Sequence, residues 1–150
     1  ITGGFVYPLL FYVLLNVVFA VFVVTVGERS DKIGRKKLLI LGYALFVTVA
    51  LGFIFLETKT HLFIFFALYG LVYALVNPSQ RALVSDLSGK MKGTALGLFY
   101  TATGLVAIPG GLIAGILWNV NSHWMFAYVS IVAFIAFVLL FFVKEKKLRI

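Results

Sequence analysis

Gly27-Glu28-Arg29-Ser30-Asp31-Lys32-Ile33-Gly34-Arg35-Lys36-Lys37 is the most polar stretch of a 150-residue chain, and a long apolar run lies on each side of it. A charge at the centre of a bilayer costs about 2.5–3.5 kcal/mol on insertion scales. Five basic and two acidic residues therefore keep this stretch out of lipid. It reads as a tight loop between two membrane-spanning helices. Its glycines fall where a backbone must turn or approach another closely, and its cations fall where anionic head groups attract them.

The rest of the chain agrees with that reading. Hydrophobic residues make up 63% and charged residues 12%, about half the charge of a soluble domain. A core of this size cannot bury so much apolar surface, so lipid is the solvent. Residues 5–26, 38–56, 62–83, 94–118 and 124–143 form five apolar runs, each able to cross about 30 Å of hydrocarbon as a helix. The fold class is all-α and membrane-embedded. Pro78 predicts a kink or stop near the end of the third run. Residues 57–61 and 119–123 are short enough to be tight turns between antiparallel helices.

The net charge of +8 is topological. Twelve of the basic residues lie in the first loop, the segment after the third span (Arg81, Lys90, Lys92) and the tail; Lys59 alone lies on the other side. The positive-inside rule puts those three segments and the C-terminus in the cytoplasm and the N-terminal end outside. Trp118 and Trp124 flank the second outer turn, at the depth that indoles favour. No basic face interleaved with aromatics lies off the spans, which argues against nucleic acid. Without cysteine there are no disulfides or thiolate sites. His61 and His123 stand alone in outer turns, so no metal site is expected. No nucleophile–base pair or phosphate loop is visible, so the chain is not expected to be an enzyme.

The central stretch matches Gly-x-x-x-Asp-(Arg/Lys)-x-Gly-(Arg/Lys)-(Arg/Lys) through Gly27, Asp31, Lys32, Gly34, Arg35 and Lys36. In this it resembles the signature loop of the major facilitator superfamily of secondary transporters, which lies between helices two and three and recurs between eight and nine. Three spans and a basic tail follow span two, so the resemblance implies helices eight to twelve of a twelve-helix protein. The chain opens on Ile1 rather than Met, as expected of a C-terminal fragment whose partner is the missing N-terminal half. Arg81 and Asp86, with Gly93 after Lys92, resemble the family's loop between helices ten and eleven. Lys92 stands where an arginine is usual, keeping the charge without the planar fork. A spacing of five is poor for pairing Arg81 with Asp86 along one helix, so each is expected to meet another loop.

The loop has two readings. As a latch, Gly27 lets a neighbouring helix end approach, and Asp31 accepts from free N–H groups at that helix's N-terminus. The resemblance implies that this helix belongs to the absent half. Otherwise the segment is an ordinary positive-inside loop.

No Asp, Glu, Lys or Arg lies mid-span, so a proton relay would have to sit elsewhere; uniport or a sodium site of neutral oxygens stays open, and no other cofactor is implied. Neutral polar residues form stripes instead: Tyr12 and Asn16 on span one, Tyr69, Tyr73 and Asn77 at four-residue spacing on span three, Tyr100 and Thr103 on span four. They line a substrate cavity or hydrogen-bond between helices. The resemblance implies that spans one, three and four face the cavity and spans two and five face lipid. Phe126 and Phe134 make span five look lipid-facing. Span four also carries a face of glycines suited to close packing, and Pro109-Gly110-Gly111, either a hinge or a fixed kink. The resemblance implies transport of a small-molecule substrate by alternating access. A membrane sensor or scaffold on the same fold is the alternative.

Overall fold

A computed structural model describes residues 3–55 and 59–143, with the side chains of all but 3–5, 31 and 59. Five helices follow one another: α1 (Gly3–Ile33), α2 (Arg35–Ile54), α3 (Lys59–Leu87), α4 (Lys92–Val120) and α5 (Ser122–Phe142). Each is long and apolar enough to cross a bilayer. No strand occurs among the described residues.

The stretch expected to be a loop is helical on both sides of one residue. α1 runs on to Ile33 and α2 begins at Arg35, leaving Gly34 between them with φ 103° and ψ 133°. A side chain would clash at that positive φ, so glycine makes the break possible. Backbone bonding closes around it, since Gly34 N–H donates to Ser30 O at 3.1 Å and Gly34 O accepts from Leu38 N–H at 3.4 Å. The charges of this stretch ride on helix that overshoots the hydrocarbon: the 31 residues of α1 span about 46 Å against a core of about 30 Å.

One further boundary differs from expectation. α3 passes through Pro78 and continues to Leu87. Ala74, Leu75 and Ser79 are buried around the proline, and packed neighbours hold the helix where one backbone bond is missing. α4 likewise continues through Pro109, Gly110 and Gly111. At the turn after α4 a single residue separates two helices. Asn121 caps α5, its Oδ1 accepting from His123 N–H at 2.8 Å.

α1 lies along α3, α3 along α2, and α2 along α5, while α4 leans more thinly on α5 and α3. The buried centre joins Val26 of α1, Leu38 of α2 and Ala74 and Leu75 of α3, with Phe19, Leu45 and Leu71 against it. Small residues set the approach distances. A Cβ on Gly70 would stand 2.6 Å from Leu15 O in α1, and one on Gly42 would meet Val76 and Leu75 in α3. On the glycine-rich α4 the result is the reverse: a Cβ on Gly97, Gly104, Gly111 or Gly115 meets nothing within 4 Å, and α4 has no buried residue.

Away from Gly34, aromatic rings link all five helices. Phe11 of α1 packs edge-on to Phe63 (4.7 Å between centroids) and stacks on Phe66 (4.9 Å) of α3. Phe66 meets Phe53 of α2 at 5.7 Å, Phe53 stacks on Phe126 of α5 at 5.1 Å, and Phe126 meets Trp118 of α4 at 6.1 Å. Phe126 thus packs inward, although span five reads as lipid-facing throughout. Ser130 and Ala133 of α5 are buried too, while Phe134, Leu139 and Phe142 are exposed.

Gly70→Ala should therefore destabilise the bundle by about 1–3 kcal/mol, read as a lowered thermal midpoint in detergent, because backbone rather than a side-chain tip must move. Gly104→Ala in the same chain should change stability by less than about 0.5 kcal/mol. Equal losses in the two variants would place the tight approach elsewhere.

Candidate functional site

The residues of the signature stretch converge on one end of the bundle. With Gly34 as the joint, Arg35 and Lys36 occupy the first turn of α2 and reach to opposite sides. Arg35 Nη1 lies 2.7 Å from Asp86 Oδ2 in the last turn of α3, both side chains about one-fifth exposed. Lys36 Nζ donates to Phe141 O, 2.9 Å away in the last turn of α5. Those carbonyls lack intrahelical donors, and a cation there also meets the negative pole of the helix dipole. Two side chains thus clasp the ends of three helices. Ser30 is buried beside this joint, and Lys32 is exposed on the end of α1.

The remaining residues of the two loops are placed as follows. A Cβ on Gly27 would meet nothing within 4 Å, so no other described helix packs against that position. The side chain of Asp31 lies outside the described residues. Arg81 and Asp86 do not pair. Asp86 is held by Arg35, and the Arg81 guanidinium lies over the Tyr100 ring of α4, 5.6 Å from its centroid. Gly93 is exposed in the first turn of α4.

Three of the seven candidate cavity residues come together. Tyr69, Tyr73 and Asn77 of α3 line a half-open pocket of about 160 Å³ with Val72, Val76 and, from α2, Tyr43 and Phe46. Phe46 stacks on Tyr69 at 5.9 Å, and Tyr69 meets Tyr73 edge-on at 5.1 Å. Gln80 Nε2 donates to Tyr43 Oη at 2.8 Å, fixing that ring across the two helices. Such a volume suits a single aromatic ring or a similarly small apolar group. The pocket supplies π faces and an amide edge, and no charged side chain lines it. Sequence reasoning missed Tyr43 and Phe46, because span two was assigned to lipid; the signal was a tyrosine and a phenylalanine three apart on that span.

The other four stand apart from this pocket. Tyr12 and Asn16 are exposed on α1, and Asn16 Nδ2 donates to Tyr12 O at 2.7 Å. Thr103 Oγ1 donates to Phe99 O at 2.9 Å, and Tyr100 carries Arg81. Pro109, Gly110 and Gly111 lie in unbroken helix, Pro109 and Gly111 exposed. Among the described residues no group of three or more His, Asp or Glu is placed to hold a metal. His123 Nδ1 lies 2.8 Å from Asn121 Oδ1, a contact within the turn.

Comparison with known proteins agrees over almost the whole length. The family model for the Major Facilitator Superfamily matches residues 5–149. An uncharacterised MFS-type transporter of Methanocaldococcus jannaschii is 45% identical over 137 residues, which is 91% of this chain and 34% of that protein. Multidrug resistance protein 2 of Bacillus subtilis is 34% identical over 81% of this chain and 30% of its own length. Multidrug resistance protein MdtM of Escherichia coli K12 is 29% identical over 75% and 28% respectively. The chain thus spans about a third of the length of these relatives. No solved structure matches it.

The clasp is open to a charge-reversal test. Arg35→Asp and Asp86→Arg should each lower the thermal midpoint in detergent, and the double reversal should recover much of the loss. A half-buried pair of this kind couples by about 1 kcal/mol. Simple addition of the two losses would show that the pair carries no coupling.

Proposed function

The chain belongs to the major facilitator superfamily, and from that premise we propose that it forms one wall of a carrier moving a small solute by alternating access. In such carriers two halves rock about a midplane site that opens to each side in turn. The five helices correspond to helices eight to twelve, with the basic end in the cytoplasm and the N-terminal end outside, in the plasma or inner membrane. The observation that carries this reading is the clasp: Arg35 on Asp86 and Lys36 on the end of α5 gather three helix ends around Gly34. A unit tied in this way can move as one body. The open side of Gly27, with Asp31 one turn on, is then where a helix end of the other half docks and leaves again.

The multidrug names of two relatives and the aromatic pocket support a drug-like solute. Tyr69, Tyr73 and Asn77 supply part of its path. Tyr12, Asn16, Tyr100 and Thr103 face it from α1 and α4 once the other half is in place, and Pro109-Gly110-Gly111 is where α4 yields. With no Asp, Glu, Lys or Arg mid-span, coupling to protons or sodium rests on the rest of the protein or on neutral oxygens.

The test is dye flux through the complete protein in proteoliposomes under an imposed proton or sodium gradient. Tyr73→Ala should raise the apparent KM about fivefold, the worth of one aromatic contact of about 1 kcal/mol. Asp31→Asn should insert normally and slow turnover. Unaltered turnover in Asp31→Asn removes the docking role, and dye binding without flux under either gradient favours the sensor or scaffold.

A further inference from the structure

Arg81 continues the pocket stripe, standing four residues beyond Asn77 on α3. It lies six residues before the end of the helix, about 9 Å along its axis, and it is exposed at the clasped end of the bundle. Among the described residues its guanidinium has no carboxylate and no hydrogen-bond partner. Asp86 is engaged by Arg35 at 2.7 Å, and the Arg81 guanidinium lies over the Tyr100 ring at 5.6 Å. A cation over a ring face is held by the ring's quadrupole and spends none of its N–H donors on a hydrogen bond. One turn deeper, the Asn77 amide also has no hydrogen-bond partner among the described residues, and it lines the aromatic pocket.

A cation held over a ring, with free donors, beside an unspent amide and a pocket of ring size, is complementary to one kind of ligand. We propose that Arg81, positioned by Tyr100 and assisted by Asn77, binds a compact oxyanion, a carboxylate or phosphate, whose apolar body enters the pocket lined by Tyr43, Phe46, Tyr69 and Tyr73. Carboxylates and phosphates both take two arms of the fork, and these charge-assisted bonds are roughly twice as strong as neutral ones. The oxyanion comes either from a soluble aryl acid or from an anionic lipid head group at the membrane surface. This goes beyond the transport reading, since binding is measured without flux.

The experiment uses the complete protein in nanodiscs. In phosphatidylcholine discs, benzoate is titrated by calorimetry against the parent, Arg81→Gln and Arg29→Gln. In discs containing phosphatidylglycerol, native mass spectrometry counts the phosphatidylglycerol each variant retains. A loss of about tenfold in benzoate affinity in Arg81→Gln, with Arg29→Gln unchanged, supports a solute oxyanion. Loss of retained phosphatidylglycerol confined to Arg81→Gln supports the head group. The proposal is overturned if neither anion depends on Arg81, or if Arg29→Gln weakens binding equally and the attraction is diffuse charge.

Discussion

Hydrocarbon offers no partner to a peptide group, and the rest of this bundle follows from that. Each backbone polar group has to close within its own helix, so five apolar runs become five helices with single-residue or short joints between them. The same pressure acts on side chains. Asn16, Thr48, Thr101, Thr103 and Ser130 all return a hydrogen bond to a carbonyl of their own helix. Their polar groups are spent locally, so they do little to hold one helix to another.

What holds the helices together differs along the membrane normal. At the Gly34 end the ties are ionic, a guanidinium on a carboxylate and an ammonium on the last carbonyls of a helix. At the other end they are ring contacts running from Phe11 through Phe66, Phe53 and Phe126 to Trp118. Between them, glycines at 42 and 70 let α2 and α1 close on α3. α4 shares least in this. It touches α5 and α3, buries no residue, and turns its glycines to empty space.

Much of this was legible beforehand. Charge at 27–37 excluded lipid, and the spacing of apolar runs gave the number of spans. Other features were hidden for physical reasons. Polarity was read as loop, but a charged segment outside the bilayer is free to stay helical, and a single glycine suffices for the break. Pro78 was read as a kink or a stop, and propensity alone cannot show that packed neighbours hold α3 together across it. Within the candidate site, the four-residue spacing of Tyr69, Tyr73 and Asn77 identified one wall of the pocket. The opposing wall, Tyr43 and Phe46, depends on the register between α2 and α3, which one helix's pattern does not contain. The partners of Arg35 and Lys36, 51 and 105 residues away in sequence, are tertiary facts of the same kind.

The unlike ties at the two ends give the bundle an axis of chemical sensitivity. Electrolyte screens charges over about 8 Å at physiological ionic strength and about 3 Å at 1 M, so salt acts on the Gly34 end and leaves stacked rings untouched. Amphiphiles and small aromatic solvents that compete for ring faces act on the other. The choice of buffer and solubiliser therefore weighs on one kind of tie more than the other, and a purified sample carries that choice into every measurement made on it.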